Sequence, residues 1–226
     1  MEALLRRGAW FANLPPDFVQ QLLTAGQVRR YGKAEVIVPA NEPTGLWAVL
    51  QGSVSLSRIS AGGSEFIFYV AGPGFWLGAF GIVSGRPLDV VVTSLGESTL
   101  LSIPRAAAER IVESDQRFQT ALARLSMDRF ARTLDALEST RRLNPVSRVA
   151  AKLLGIRALD VETDSATAEQ PLAISQNALA LMTSLSRQSV SAALHELARV
   201  GAIAVGFKEI TVLDQDRLQA VADEGA

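Results

Sequence analysis

Short apolar runs, separated by glycine and proline, fill the chain from about residue 27 to residue 103. Many short β-rich runs at regular spacing, with turn residues between them, are typical of an antiparallel sandwich or barrel. Residues 1–25 have a helical pattern instead, which Pro15 and Pro16 interrupt before a second helix. The predicted strands are 36–38, 47–50, 54–56, 66–70, 90–92 and 99–101.

After residue 103 the apolar residues recur at the three-to-five spacing of a helix. Pro104 begins a short helix over 105–112, and Asp115 begins a stretch with no glycine or proline before Pro145. As one helix this stretch would run roughly 40 Å, at about 1.5 Å per residue. Its apolar side could pack on its own domain or pair with a second copy in a coiled coil, and the periodicity favours neither. The apolar residues are Phe118, Leu122, Leu125, Phe130, Leu134 and Leu137.

The C-terminal region contains several predicted helix starts. Asn144 followed by Pro145 is typical of an N-cap with proline at the first helical position. Ser175 and Ser186 can each cap a further helix, which gives two helices joined by a short turn. The predicted elements are a helix to about residue 158, a surface loop over 160–171, a turn over 183–185, a hairpin after Gly201 and a last helix over 214–222.

The composition excludes several classes of site. The chain has no cysteine, which excludes disulfides, iron–sulfur clusters and thiolate zinc sites. With His195 as the one histidine, a metal site would need clustered carboxylates, and no such spacing is present. Neither a secretory signal nor an apolar run of roughly 20 residues is found, so we predict a cytoplasmic protein without a membrane partner.

The charge balance permits nucleic-acid binding without demanding it. The net charge is −1, but residues 141–210 carry eight Lys or Arg against six Asp or Glu. Five of those basic residues lie between Arg141 and Arg157, where no acidic residue occurs.

The helix that begins after Ser186 has residues suited to reading DNA. Helix pairs of this kind place the N-terminal end of the second helix in the major groove. Arg187 can bond a guanine edge and Gln188 an adenine edge, while serine hydroxyls suit phosphates or bases. A helical hairpin packed only for structure would give the same pattern, so the residues alone leave both interpretations open. The candidate DNA-binding residues are Ser175, Gln176, Ser186, Arg187, Gln188, Ser189, Ser191, His195 and, near the hairpin tip, Lys208.

Nearly the whole chain resembles the CRP/FNR superfamily of bacterial transcription regulators. The segment from Ser175 to Ile203 resembles that family's helix-turn-helix signature, and Arg148-Val149-Ala150 is similar to the helix that opens its DNA-binding domain. Leu46 to Gly52 and Gly72 to Gly78 resemble its cyclic-nucleotide-binding-type β-roll. The resemblance implies a homodimer on double-stranded DNA, and RNA polymerase as a partner if the protein is an activator.

The sequence departs from the family pattern in the recognition helix. Gln188 stands where a glutamate is common, Ala192 where a base-reading arginine often lies, and Ser184 where glycine is usual in the turn. We therefore expect an operator that differs from those of the best-known members.

The effector pocket departs further. Nucleotide-binding relatives use a Gly-Glu pair for the ribose and an Arg-Ser pair for the cyclic phosphate, and the matching positions here are Gly78-Ala79 and Leu88-Asp89. The ribose carboxylate and the phosphate cation are missing, so standard cyclic AMP binding is not expected, unless Arg86 compensates in a shifted loop. The aromatic residues Phe66, Phe68, Phe75, Trp76 and Phe80 could line a hydrophobic pocket, but the core interpretation is favoured. The candidate pocket residues are Gly78, Ala79, Phe80, Arg86, Leu88, Asp89 and Leu137.

The predicted fold is α+β, with a β-roll (jelly roll) sensory domain over 1–113, a dimerisation helix over 114–143 and a winged helix-turn-helix over 144–226. The predicted function is a DNA-binding regulator with a non-standard or degenerate effector pocket and no cofactor. The alternative is a ligand-binding or protein-interaction module that no longer reads DNA. An enzyme is not expected, because no nucleophile–histidine arrangement or phosphate loop is present.

Overall fold

The computed structural model describes residues 1–6, 8–63, 65–140, 144–161, 171–172, 174–183, 185–206 and 209–224. The chain divides into two compact units, residues 1–64 with 69–131 and residues 65–68 with 132–226. The predicted functional division at 113 and 143 remains a prediction. In chain order the elements are α1 (Glu2–Leu5), α2 (Ala9–Ala12), α3 (Pro16–Ala25), β1 (Gln27–Tyr31), β2 (Val36–Val38), β3 (Leu46–Gln51), β4 (Val54–Ile59), β5 (Glu65–Ala71), β6 (Trp76–Leu77), α4 (Ala79–Ser84), β7 (Val91–Ser94), β8 (Ser98–Ile103), α5 (Arg105–Ser114), α6 (Gln116–Thr140), α7 (Pro145–Val161), α8 (Gln176–Thr183), α9 (Arg187–Arg199), β9 (Ile203–Val205), β10 (Ile210–Val212) and α10 (Gln215–Asp223).

Two antiparallel sheets form the β-roll, and apart from residues 65–68 of β5 their strands belong to the first unit. One sheet has the strand order β1-β8-β3-β6 and the other β2-β7-β4-β5. In the first, Val28 pairs with Leu101 and Ala48 also pairs with Leu101, so β8 lies between β1 and β3. The predicted α+β class with an N-terminal β-roll is confirmed.

Alternation along the strands divides the apolar residues of the first unit between two cores. Successive side chains of a strand point to opposite faces, so Trp47 and Val49 lie on one face of β3 and Leu46 and Ala48 on the other. The first pair belongs to the core shared by both sheets. The second pair belongs to a core formed with helices, which includes Phe11, Phe18, Leu22, Ile111, Phe118 and Leu122.

The aromatic residues considered for a pocket have different environments. Trp76 is buried and stacks on Phe11 with 5.3 Å between ring centroids, and Phe75 packs against the core between the sheets. The core interpretation is correct for these two residues. It is wrong for Phe66 and Phe80, whose side chains are exposed.

The long helix α6 has two kinds of apolar residue. Phe118, Leu122 and Leu125, in its first half, are buried in the helix-lined core of the first unit. Further along, Met127, Phe130 and Leu134 are 64%, 58% and 49% exposed. The first half therefore packs on its own domain, while the later positions leave an apolar stripe open.

The second unit contains the helix-turn-helix and the hairpin. Val149 and Leu153 of α7 are fully buried, and α7 packs against α8, α9 and α10. β9 and β10 pair antiparallel, with Val205 opposite Ile210. Leu172 extends this ribbon, because its N–H donates to the Ile210 carbonyl at 2.7 Å. In the described part of the chain, no helix is both long enough and apolar enough to cross a membrane.

Candidate nucleic-acid interface

Two serine caps define the helix pair α8 and α9. The Ala178 N–H donates to the Ser175 hydroxyl oxygen at 3.1 Å, and the Ser189 N–H donates to the Ser186 hydroxyl oxygen at 3.0 Å. Each hydroxyl satisfies a backbone donor that a helix leaves unpaired at its start. The intervening turn is closed by the Leu185 N–H, which donates to the Ala180 carbonyl at 3.1 Å. Both caps stand where the sequence predicts them, and Ser184 lies outside the described residues.

The helix α9 has one buried and one open side. Val190, Leu194 and Leu197 are buried, at the spacing that places them on one face. Arg187, Gln188, Ala192 and His195 are exposed. Since the apolar side is anchored in the second unit, the polar side is presented outward from the first turn onward. Ser191 is half-buried between the two sides, and Gln176, at the first position of α8, is also half-buried.

The start of α9 combines a charged side chain with helix-terminal donors. Within the described residues Arg187 forms no ion pair, and its guanidinium carries five N–H donors. The Ser186 and Ser189 hydroxyl oxygens lie 2.8 Å apart, beside the positive end of the helix dipole. Helix N-termini of this kind accept phosphate groups readily. This end of α9 can therefore meet both a base edge and the DNA backbone.

The side chain of His195 is fixed by its own helix. Its Nδ1 lies 2.7 Å from the Ser191 carbonyl oxygen. Because a carbonyl oxygen only accepts, Nδ1 carries the proton of this bond. In the neutral ring, Nε2 is then left as an acceptor on the exposed side of α9.

Farther along α9, an ion pair occupies the last turn. Arg199 donates to both carboxylate oxygens of Glu196, at 2.6 Å and 3.0 Å. These hydrogen bonds lower the pKa of Glu196 and raise the pKa of Arg199. Arg199 is thus already engaged within the helix, in contrast to Arg187.

The hairpin after α9 has the position of a wing. The Gly206 N–H donates to the Glu209 carbonyl at 2.9 Å, which closes the loop between β9 and β10. Lys208, which the sequence predicts to reach a phosphate, lies outside the described residues.

Arg148 is a structural partner of this site that the sequence patterns did not indicate. Its Nη1 donates to the Thr183 carbonyl at 3.3 Å, and Thr183 is the last residue of α8. A cation at a helix C-terminus is favourable because the carbonyls there are otherwise unpaired. An arginine near the start of α7 was the available signal, but its partner is 35 residues away in sequence.

The predicted effector region lies around the short helix α4. Gly78 precedes α4 with φ of +94°, and Ala79 is buried in the helix-lined core. Phe80 and Leu88 are exposed, and the Arg86 N–H donates to the Ser84 hydroxyl oxygen at 3.2 Å. Leu137 belongs to α6, but its side chain is outside the described part of the structure.

Asp89 has partners from two other segments. Arg58 of β4 donates from Nη2 to Oδ2 at 2.8 Å, and the Asn41 side-chain amide donates to Oδ1 at 3.1 Å. The hydrogen bond from Arg58 holds the pKa of Asp89 below its usual value. The cation paired with Asp89 thus comes from β4. A compensating role of Arg86 in phosphate binding stays a prediction.

Both units match known domain families. Residues 28–115 match the cyclic nucleotide-binding domain, and residues 147–221 match the Crp-like helix-turn-helix domain. A Mycobacterium tuberculosis protein, "CRP-like cAMP-activated global transcriptional regulator", is 23% identical over 219 residues, which cover 96% of this chain and 98% of that protein. "Nitrogen fixation regulation protein FixK" of Bradyrhizobium diazoefficiens is 25% identical over 222 residues, which cover 98% of this chain and 92% of that protein.

A solved structure shares the fold along most of the chain. FixK2 from Bradyrhizobium japonicum has a TM-score of 0.76 at 21% sequence identity, and the alignment covers 87% of this chain and 96% of that one. This likeness shows that the chain shares the fold of that protein.

Proposed function

The chain belongs to the CRP/FNR family of transcription regulators, and from this membership we propose that it binds a near-palindromic operator in double-stranded DNA as a homodimer. Its relatives are regulators rather than enzymes. A cytoplasmic location follows from this role, as does contact with RNA polymerase if the protein is an activator. The family matches do not favour the alternative of a module that has lost DNA reading.

The observation that carries the proposal is the two-sided helix α9. Its buried side fixes the helix through Val190, Leu194 and Leu197, while Arg187 and Gln188 remain exposed in the first turn. An arginine bonds guanine in bidentate fashion and a glutamine bonds adenine. We therefore assign base reading to these two residues and phosphate contact to Ser186 and Ser189.

The stripe on α6 supports a homodimer. Met127, Phe130 and Leu134 are spaced by three and four residues, as at the apolar positions of a coiled-coil seam. Large exposed apolar residues in a row usually mark an interaction site. In a two-fold dimer built on this stripe, the two α9 helices would enter major grooves roughly 34 Å apart.

The effector region supports a regulator that does not use the standard cyclic AMP contacts. Ala79 is buried and offers no carboxylate to a ribose, and Leu88 is an exposed apolar side chain without a charge for a phosphate. The carboxylate of Asp89 would repel a phosphate at the same place. We propose that the purified protein binds its operator without cyclic AMP.

Selection against random duplex DNA tests this function. The purified, ligand-free protein is mixed with a random library, and the retained duplexes are sequenced. Enrichment of a two-fold symmetric site is the expected result. If the folded protein enriches no site, either alone or with cyclic AMP or cyclic dinucleotides added, sequence-specific DNA reading is refuted.

Arg187→Ala tests the base-reading role. Loss of a bidentate arginine–guanine contact should weaken binding to the selected operator by about 1–3 kcal/mol and relax the sequence preference at one position of each half-site. Binding to random duplexes should change much less. Fluorescence anisotropy with both kinds of DNA, at one fixed salt concentration, measures the two affinities.

Arg199→Ala is the matched control for this test. It removes the same charge from the same helix, but Arg199 is already paired with Glu196 in the last turn. Its effect on the ratio of operator to random-DNA affinity should be small. If Arg187→Ala weakened binding to the operator and to random DNA equally, Arg187 would contact phosphates and would not read a base.

A further inference from the structure

We propose that Asp89 is a built-in anion that occupies the place of a ligand's phosphate beside Arg58 and Asn41, and that removal of its charge opens a site for a phosphate-bearing small molecule. The inference rests on the proposed function, because it explains how that regulator would bind its operator without a bound nucleotide. It assigns the cation of the site to β4, whereas the family pattern would have placed the cation at Leu88.

Arg58 lies on the inward face of its strand. Alternate residues of a strand share a face, so Arg58 follows Val54 and Leu56 on one side of β4. Val54 is buried in the core between the two sheets, and Leu56 packs against that core. Arg58 therefore continues this face of β4 beyond Val54 and Leu56, and its side chain is 62% exposed.

Asn41 supplies a second donor from a different loop. Its backbone N–H donates to the Leu88 carbonyl at 2.9 Å, and its side-chain amide donates to Asp89 Oδ1 at 3.1 Å. The residue has φ of +60°, a conformation that asparagine tolerates better than most residues. Asn41 thus ties its loop to the segment that carries Asp89 and directs an N–H toward the same carboxylate as Arg58.

The donors around Asp89 are those that a phosphate would use. Carboxylates and phosphates both accept charge-assisted hydrogen bonds from arginine. Because Arg58 lowers the pKa of Asp89, the carboxylate is ionised at neutral pH and neutralises the guanidinium. A phosphate approaching Arg58 would meet a group of its own charge.

Asp89→Ser tests the proposal by removing this charge and leaving room for a ligand. Exposed ion pairs contribute little to stability, so the variant should fold as the wild type does. The probe is 3′,5′-cyclic AMP, with affinity measured by equilibrium dialysis and competition by inorganic phosphate. We expect binding at least about tenfold tighter than in the wild type, since repulsion between like charges becomes attraction to Arg58.

Two further variants make the result specific. Arg58→Gln combined with Asp89→Ser removes the cation as well, and the gain in affinity should disappear. Asp17→Ser is the matched charge control, since Asp17 is another exposed aspartate with an arginine partner, Arg117, at 3.5 Å. It changes the net charge equally and should leave nucleotide affinity at the wild-type level.

The outcomes separate this inference from the proposed function. Asp89→Ser without a gain, or an equal gain in the double variant, overturns the role of Asp89. Operator binding by the ligand-free wild type is scored independently by selection from random DNA. Failure of that selection would refute DNA reading while leaving the nucleotide titration fully interpretable.

Discussion

Among single residues, Gly78 needs to be glycine for two reasons, its backbone conformation and its close contact with a neighbouring strand. Its φ of +94° lies in the left-handed region, where a side chain is disfavoured. A Cβ atom at this position would also collide with the Gly45 carbonyl oxygen. The close approach arises where β3 and β6 pair, with Trp47 opposite Leu77. Glycine is needed here for the entry into α4, whatever the effector region binds.

A comparison with Gly85 separates the cost of the backbone conformation from the cost of the steric contact. Gly85 ends α4 with φ of +69°, but a Cβ added to it would have no atom within 4 Å. Gly85→Ala should therefore lower the free energy of unfolding by about 1 kcal/mol, the cost of the left-handed conformation alone. Gly78→Ala should lower it by at least twice as much, because the β3–β6 contact must also move. Urea unfolding followed by circular dichroism measures both, and equal losses would show that the Gly45 contact is easily relaxed.

Residue roles were predictable where the partner is close in sequence. Ser175 and Ser186 each cap a backbone N–H three residues later, so capping preferences alone located them. Asp89 was named as a candidate pocket residue from the sequence, but not as the partner of Arg58. Those two residues are 31 positions apart, and no local rule connects β4 to the segment before β7.

Among the helices and strands, those with a clear pattern of buried apolar residues could be located from the sequence, and the others could not. The buried strand β3 carries a continuous apolar run, and the buried strand β8 carries Leu100, Leu101 and Ile103. Both strands were located correctly. β1 was missed because it is an edge strand whose first four residues are exposed, two of them Arg29 and Arg30. The two-residue strand β6 and the six-residue helix α4 are too short to produce a periodic pattern.

Periodicity could not decide whether the apolar side of α6 packs on its own domain or pairs with a second copy. One apolar repeat runs along the helix, but Phe118, Leu122 and Leu125 are buried within the chain whereas Phe130 and Leu134 are exposed. Both alternatives predict this repeat. Only the three-dimensional arrangement separates the residues covered by the β-roll unit from those left open.

Phe130→Glu tests the exposed stripe of α6. A carboxylate in a dimer seam would be buried without a partner, which is strongly unfavourable. Because Phe130 is exposed in the single chain, the variant should keep its fold yet sediment as a monomer at micromolar concentration. Phe130→Leu is the matched control, since it keeps an apolar side chain and should remain dimeric. A dimeric Phe130→Glu protein in analytical ultracentrifugation would place the interface elsewhere.

For the whole molecule, the order of the predicted elements indicated the function better than the net charge did. The net charge of −1 gave little indication of DNA binding, and the excess of basic residues over 141–210 is small. The proposed interface rests instead on the placement of Arg187, which is exposed at the N-terminus of a helix whose opposite side is buried. The distribution of charge along the sequence is a weak indicator of DNA binding here, because a recognition helix needs few charges if they contact the right base edges.

The proposed two-fold symmetric dimer makes a prediction that a single chain would not make. Insertion of five base pairs between the half-sites of the selected operator turns one half-site about half a helical turn, to the opposite face of the DNA. A dimer held together through α6 can then place only one α9 in its groove, so affinity should fall toward that of a single half-site. Insertion of ten base pairs restores the face but adds roughly 34 Å, so it should not restore the affinity. If both altered operators bind as tightly as the original at the same salt concentration, the two recognition helices act independently and the symmetric arrangement is wrong.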